Sequence, residues 1–184
     1  MTDTVTSTAL YTIGHSTHPI DEFVAILHAF SIERLVDVRT VPRSRRNPQF
    51  EQSSLEASLA GAGIEYRHMK SLGGLRRTRA DSVNTAWRNV SFRGYADYMQ
   101  TPEFAAAIDD LIALAGEKRT AVMCAEAVPW RCHRSLIGDA LIVRGVAVVD
   151  ILGKTQSKPH ALTSFARVDG VRITYPPAQP ELPL

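Results

Sequence analysis

RTAVMCAEAVPWRCHRSLIGDALIVRGVAVVDIL (residues 119–152) is the stretch from which the fold is read. Arg119 to Ala125 is an apolar run short enough to be a buried strand, Arg134 to Val143 carries a helix, and VAVVDIL (146–152) is a second buried strand. Buried strands joined through a helix belong to a parallel sheet, which needs such crossovers. The same alternation extends toward the N-terminus. ALYTIGH (9–15), RLVDVRT (34–40) and IEYRHMK (64–70) read as strands. Asp21 to Phe30 has Phe23, Ile26, Leu27 and Phe30 at helical spacing. A second helix is expected to Leu59, capped by Ser53 or Ser54 and ended by Gly61 and Gly63. Another opens with Thr101 as cap and Pro102 in its first turn and runs through Leu114. The pattern predicts an α/β class: a single domain, a largely parallel central sheet, helices on both faces. Residues 9–152 would form it, and 153–184 a Pro-rich extension with VRITY (171–175) as an edge strand.

Composition agrees with one globular domain. The chain has 184 residues, 45% hydrophobic and 22% charged, which excludes a disordered chain, a collagen repeat and a coiled coil. No stretch reaches the roughly 20 apolar residues of a membrane span, and Arg144 interrupts the best candidate, 140–152. MTDTVTSTALYT lacks a basic start and an apolar signal core, so a cytoplasmic protein without membrane contact is expected. Two cysteines are too few for a disulfide scaffold. The formal net charge of +2 is uneven. Arg34 to Arg93 holds twelve Arg or Lys against five Asp or Glu, and eleven of the twelve are arginine, the side chain that grips phosphate with a planar fork. That excess points to an anionic small molecule or nucleic acid as partner.

Ligands of parallel sheets bind outside the carboxyl ends of the strands. The loops to watch are therefore 14–19, 40–50, 70–79 and 125–134. In TIGHSTH (12–18), His15 and Ser16 follow a glycine at a strand end and can offer donors to an anion. His15 and His18 lack the same-face spacing of a helical zinc pair, so no metal is assigned to them. In VDVRTVPRSRRNPQF (36–50), Asp37 and Arg39 share one strand face, and Arg43, Arg45 and Arg46 follow between Pro42 and Pro48. In LGGLRRTR (72–79), Gly73 and Gly74 could let the backbone approach a ligand. No G-x-x-x-x-G-K and no G-x-G-x-x-G occurs, so nucleotide triphosphate hydrolysis and nicotinamide binding are poor readings, and no cofactor is assigned. Tyr95, Tyr98 and Met99 at helical spacing read as core, with base stacking as the alternative.

The 121–141 segment carries the chemistry. Cys124 ends a strand, and Cys132, His133, Arg134 and Ser135 stand where the next helix begins. A helix N-terminus and a neighbouring arginine both favour a thiolate. Arg134, expected to be exposed, would bind a negative substrate; Ser135 would cap the helix; Glu126 is an available acid or base. Cysteine phosphatases and sulfur transferases share this layout, but place arginine six residues after the cysteine. Here Arg131 and Arg134 come seven and ten residues after Cys124. C-x7-C-H is not a recognised zinc spacing either.

YTIGHS (11–16), LVDVRTVPRSRRNPQF (35–50), LGG (72–74), MCAE (123–126) and CHRSLI (132–137) resemble the DUF488 family, a domain of unknown function found widely in bacteria. The likeness covers about residues 10–152. It implies a compact α/β domain with a shared site built from those motifs, and no particular reaction. Two functions are expected. The first is an enzyme on a phosphorylated or nucleotide-like small molecule, with Cys132 or Cys124 as nucleophile, His133 or Glu126 as proton carrier, and His15, Ser16, Asp37, Arg39, Arg43, Gly73, Gly74, Arg134 and Ser135 as the anion site. The second is a nucleic-acid or modified-nucleotide binding module using the same arginines without catalysis.

Overall fold

The computed structural model describes residues 9–178. The short apolar runs become strands β1 (Leu10–Gly14), β2 (Arg34–Asp37), β3 (Glu65–His68), β4 (Thr120–Cys124) and β5 (Val148–Ile151), all parallel, in the order β3-β2-β4-β1-β5. β6 (Ser157–Pro159) adds antiparallel to β5 at one edge. The alternation of side chains along each strand divides the interior into two cores. On one face Tyr11, Ile13, Leu35, Ala121 and Met123 meet Phe23, Ile26 and Leu27 of α1 (Ile20–Ala29) and Leu55 and Leu59 of α2 (Gln52–Gly61). On the other, Leu10, Val36, Val122 and Val148 meet α3 (Val90–Tyr98), α4 (Pro102–Glu117) and α5 (Arg134–Ile142). Because both faces are covered, the strands read as unbroken apolar runs.

The order of connections positions the site. β2 and β4 are neighbours, yet the chain leaves β2 for α2 on one face and β4 for α5 on the other. A crevice opens where successive connections diverge, at the carboxyl ends of the strands. β1 and β4 diverge likewise, but there the gap is closed: the amides of His15 and Ser16 donate to the carbonyls of Cys124 and Ala125 at 3.0 and 2.9 Å. Gly14 is required for that closure, since a Cβ would sit 1.8 Å from the Glu126 carbonyl oxygen.

Local signals explain several helix starts. Thr101 accepts from the Phe104 amide and Pro102 follows it, as the sequence predicts. Asn89 caps α3 through the amides of Ser91 and Phe92. Two expected caps are absent. α2 starts after Glu51, so Ser53 and Ser54 lie inside its first turn. Ser135 likewise lies inside α5, where its hydroxyl donates to the Cys132 carbonyl. The strand within 171–175 forms as β8 (Arg172–Thr174), but it pairs with β7 (Arg167–Asp169) in its own hairpin. The edge of the central sheet is β6 instead. The extension is anchored, with Ile173 and Tyr175 buried in the α3–α5 core. Tyr95 is fully buried there and donates to the Leu72 carbonyl, with Tyr98 and Met99 partly buried against the same core. Among the described residues no helix is long and apolar enough to cross a membrane.

Candidate functional site

At the end of β4 the side chain of Cys124 points to the α5 face of the sheet, and Cys132 and His133 lie at the start of α5 directly above it. The two sulfurs and His133 Nδ1 lie within 4.8 Å of one another, with Nδ1 at 3.9 Å from Cys124 Sγ and 3.7 Å from Cys132 Sγ. His133 Nε2 donates to the Val38 carbonyl at 3.2 Å. A backbone carbonyl can only accept, so that bond sets the tautomer and leaves the Nδ1 lone pair facing the sulfurs. Tyr95 packs beside the imidazole at 4.9 Å between centroids. Gly74 lets the 73–75 turn lie against it, because a Cβ there would sit 2.5 Å from Nδ1.

The two thiols differ. Hydrogen bonding from Cys124 holds the Cys132 thiol below its ordinary value, and the Arg134 charge and amide, 3.5 Å from the sulfur, work with it against burial. Cys124 is pushed up, because it donates to Cys132 and is buried. Of the two thiols, Cys132 is the one that ionises more readily.

Behind the cluster stands a rigid support. Asp37 is fully buried and accepts from Arg39 Nε and Nη2, from the Arg39 amide, and from the Tyr66 hydroxyl at 2.8 Å. Arg39 Nη1 donates to the Phe50 carbonyl at 2.9 Å and approaches His15 Nε2 at 3.4 Å. His15 donates from Nδ1 to the Ser16 carbonyl and stacks on Phe50. Burial, opposed by that bond and helped by the Arg39 charge, lowers its pKa to about 4, so the ring is neutral at pH 7.

A cavity of about 430 Å³ opens over the cluster, between the 39–43 turn, the 74–75 turn, the start of α3 and the 124–133 loop. Cys124, Cys132, His133, Glu126, Arg39, Arg43 and Gly74 line it, so seven of the thirteen sequence-chosen residues meet there. The other six do not. His15 and Asp37 lie behind Arg39, which they orient. Ser16, at φ 47°, spends its amide on Ala125, and Ser135 turns its hydroxyl to Cys132. Gly73 approaches Thr40 of its own chain. Arg134 is the principal correction: expected to be exposed, it is fully buried and donates to the Glu126 and Ala127 carbonyls at 2.5 and 2.9 Å. It braces the 124–133 loop from inside and does not reach an anion in the cavity.

Arg39 is nearly spent as well, with most of its donors held by Asp37, Phe50 and His15. The free cations on the wall are Arg43 and Arg131, both exposed and without a side-chain partner among the described residues. Arg131, Leu75, Asn89 and Phe92 also line the cavity and were not chosen from the sequence. Asn89 and Phe92 belong to the start of α3, where the N-cap preference of asparagine was the signal that could have found them. Arg131 was visible only as an arginine at the wrong distance from Cys124.

The family model described as "Domain of unknown function DUF488" matches residues 19–141 of the chain, which span β2 to β4, the Cys–His cluster and most of α5. Neither a curated protein nor a solved structure matches.

Proposed function

The chain belongs to the DUF488 family, and we propose that it is an enzyme acting on a small phosphorylated or nucleotide-like anion bound in the cavity over Cys124, Cys132 and His133. The observation that carries this reading is the placement of the Cys132 sulfur. It lies just before the N-cap of α5, accepts from the Arg134 amide, and shares one cavity with the guanidinium groups of Arg43 and Arg131. An anion drawn in by those arginines meets the thiol at the floor. Attack by Cys132 forms an S–P bond and breaks the P–O bond to the leaving group, whose oxygen takes a proton by way of Glu126. Water then cleaves the S–P bond and releases phosphate. His133 has its Nε2 proton committed to Val38, so it positions the thiols and does not serve as the acid.

The test is alkylation of the reduced, chelator-treated protein with iodoacetamide, read peptide by peptide, with and without inorganic phosphate. Cys132 should label before Cys124, and phosphate should slow it. Equal labelling indifferent to phosphate would refute the pocket. Screening phosphate esters with Cys132→Ser as control then tests the reaction.

One observation favours binding without catalysis. Arg43, Arg45, Arg46, Arg77 and Arg88 are exposed and have no ion pair among the described residues. If these arginines hold nucleic acid, affinity for a single-stranded oligonucleotide falls steeply with salt and survives Cys132→Ser.

A further inference from the structure

The cluster at the cavity floor has the dimensions of a metal site. A tetrahedral zinc ion, with Zn–S of about 2.3 Å and Zn–N of about 2.0–2.1 Å, sets its sulfur and nitrogen ligands about 3.6 Å apart. His133 Nδ1 lies 3.7 Å from Cys132 Sγ and 3.9 Å from Cys124 Sγ, within a few tenths of an ångström of that spacing, and the two sulfurs, which the ion would draw to about 3.8 Å, close by at most about 1 Å. All three donor atoms lie within 4.8 Å of one another.

The ring is already oriented for ligation. A metal-bound histidine usually donates its second N–H to a carbonyl or carboxylate, which fixes the tautomer. His133 does this with Val38, and among the described residues its Nδ1 has no donor to accept from other than the thiols. Cys124 comes from the end of a central strand, and Cys132 and His133 from the loop-to-helix junction that Arg134 braces. Two sulfurs and an imidazole suit zinc and other soft or borderline ions, and do not suit magnesium or calcium, which take oxygen. The cluster borders a cavity, and three protein ligands with an open fourth position is the pattern of reactive zinc sites, where structural sites close all four.

We propose that Cys124, Cys132 and His133 bind one zinc ion, with the fourth coordination position open to the cavity and available to an oxygen of the anion. This inference rests on the pocket described above but gives the sulfur different work. The thiol attack described above belongs to the metal-free protein: with zinc bound, Cys132 is a ligand and cannot attack, and the anion would be polarised by the ion while Arg43 and Arg131 hold its charge.

The experiment is titration of the full chain, reduced and stripped with a chelator, with Co2+. The expected result is one equivalent bound, with visible bands of tetrahedral Co2+ and a near-ultraviolet thiolate-to-cobalt band, both erased by one equivalent of Zn2+. Zinc should also block both thiols of the folded protein from a disulfide reagent. Cys124→Ser, Cys132→Ser and His133→Gln should each weaken binding by more than about 100-fold, beyond what loss of an outer-shell partner costs. Absence of the thiolate band in the wild-type protein overturns the proposal, and so does unchanged affinity in a folded Cys132→Ser. If the variants do not fold, the wild-type spectrum and thiol protection decide alone. Phosphate shielding of Cys132 without cobalt binding removes the zinc site and leaves the thiol enzyme standing. Cobalt binding without phosphate shielding does the reverse.

Discussion

His160 should make this protein lose stability between about pH 6.5 and pH 9. Its ring is buried between two buried carboxylates, with Nδ1 at 2.9 Å from Asp150 Oδ2 and Nε2 at 3.2 Å from Asp139 Oδ1. Both nitrogens therefore donate, and the ring is the imidazolium. Around it Thr12 donates to Asp150, and the Tyr175 hydroxyl and Thr163 amide donate to Asp139. Burial by itself would lower the pKa, but the hydrogen bonds and charges of Asp139 and Asp150 outweigh it and raise it to about 9. The unfolded value is about 6.5. Between the two, the native state holds a proton that the unfolded state has released, so unfolding becomes easier as pH rises. The contribution is complete below the unfolded value and lost above the folded one. A gap of about 2.5 units at about 1.4 kcal/mol each makes it about 3 kcal/mol. Urea unfolding at pH steps from 5.5 to 9.5 measures it, with His160→Gln as reference so that the titration of every other group cancels. Wild type should lose about 3 kcal/mol more than the variant across the window. Parallel stability curves, or a ring that titrates near 6.5 by NMR, would refute the assignment.

Arg134→Ala should cost about 3 kcal/mol or more, because it removes a fully buried side chain, with its bonds to the Glu126 and Ala127 carbonyls, and opens a cavity. Urea unfolding checks it, and wild-type stability would show that the loop is held by something else. Gly74→Ala should keep the fold but displace His133, whose Nδ1 would lie 2.5 Å from the new Cβ. Cobalt binding should drop while the circular dichroism spectrum stays. Arg43→Ala with Arg131→Ala should change stability by under about 0.5 kcal/mol, both side chains being exposed and unpaired among the described residues, and should abolish phosphate shielding of Cys132. Tyr66→Phe removes one donor from buried Asp37 and should cost about 1–2 kcal/mol in the same unfolding assay.

The fold was legible because its information is local. Short apolar runs such as RTAVMCA and VAVVDIL alternate with helical spacing, and a sheet covered on both faces needs no finer pattern than that. β6 and β7 were not legible as such, α3 was legible only in the helical spacing of Tyr95, Tyr98 and Met99, and β8 was legible as the strand within VRITY but not as half of a hairpin. Residues 157–159 and 167–169 are exposed, so no apolar periodicity marks them as strands. The sequence also determined which segments meet, since loops that follow parallel strands must gather at one edge. That is why Cys124, Glu126, Cys132, His133, Arg39, Arg43 and Gly74 were found together. What each side chain does there was a tertiary matter. Arginine carries the same charge in any sequence window, but only packing turned Arg134 inward onto carbonyls, tied Arg39 to Asp37, and left Arg43 and Arg131 without a side-chain partner among the described residues. The C-x7-C-H spacing matches no zinc signature, because such signatures describe ligands close along one local chain motif. Here the sheet supplies one ligand and the helix start the other two, and the Val38 carbonyl, from the turn after β2, sets the histidine tautomer. Distance through space, which no spacing encodes, made the cluster.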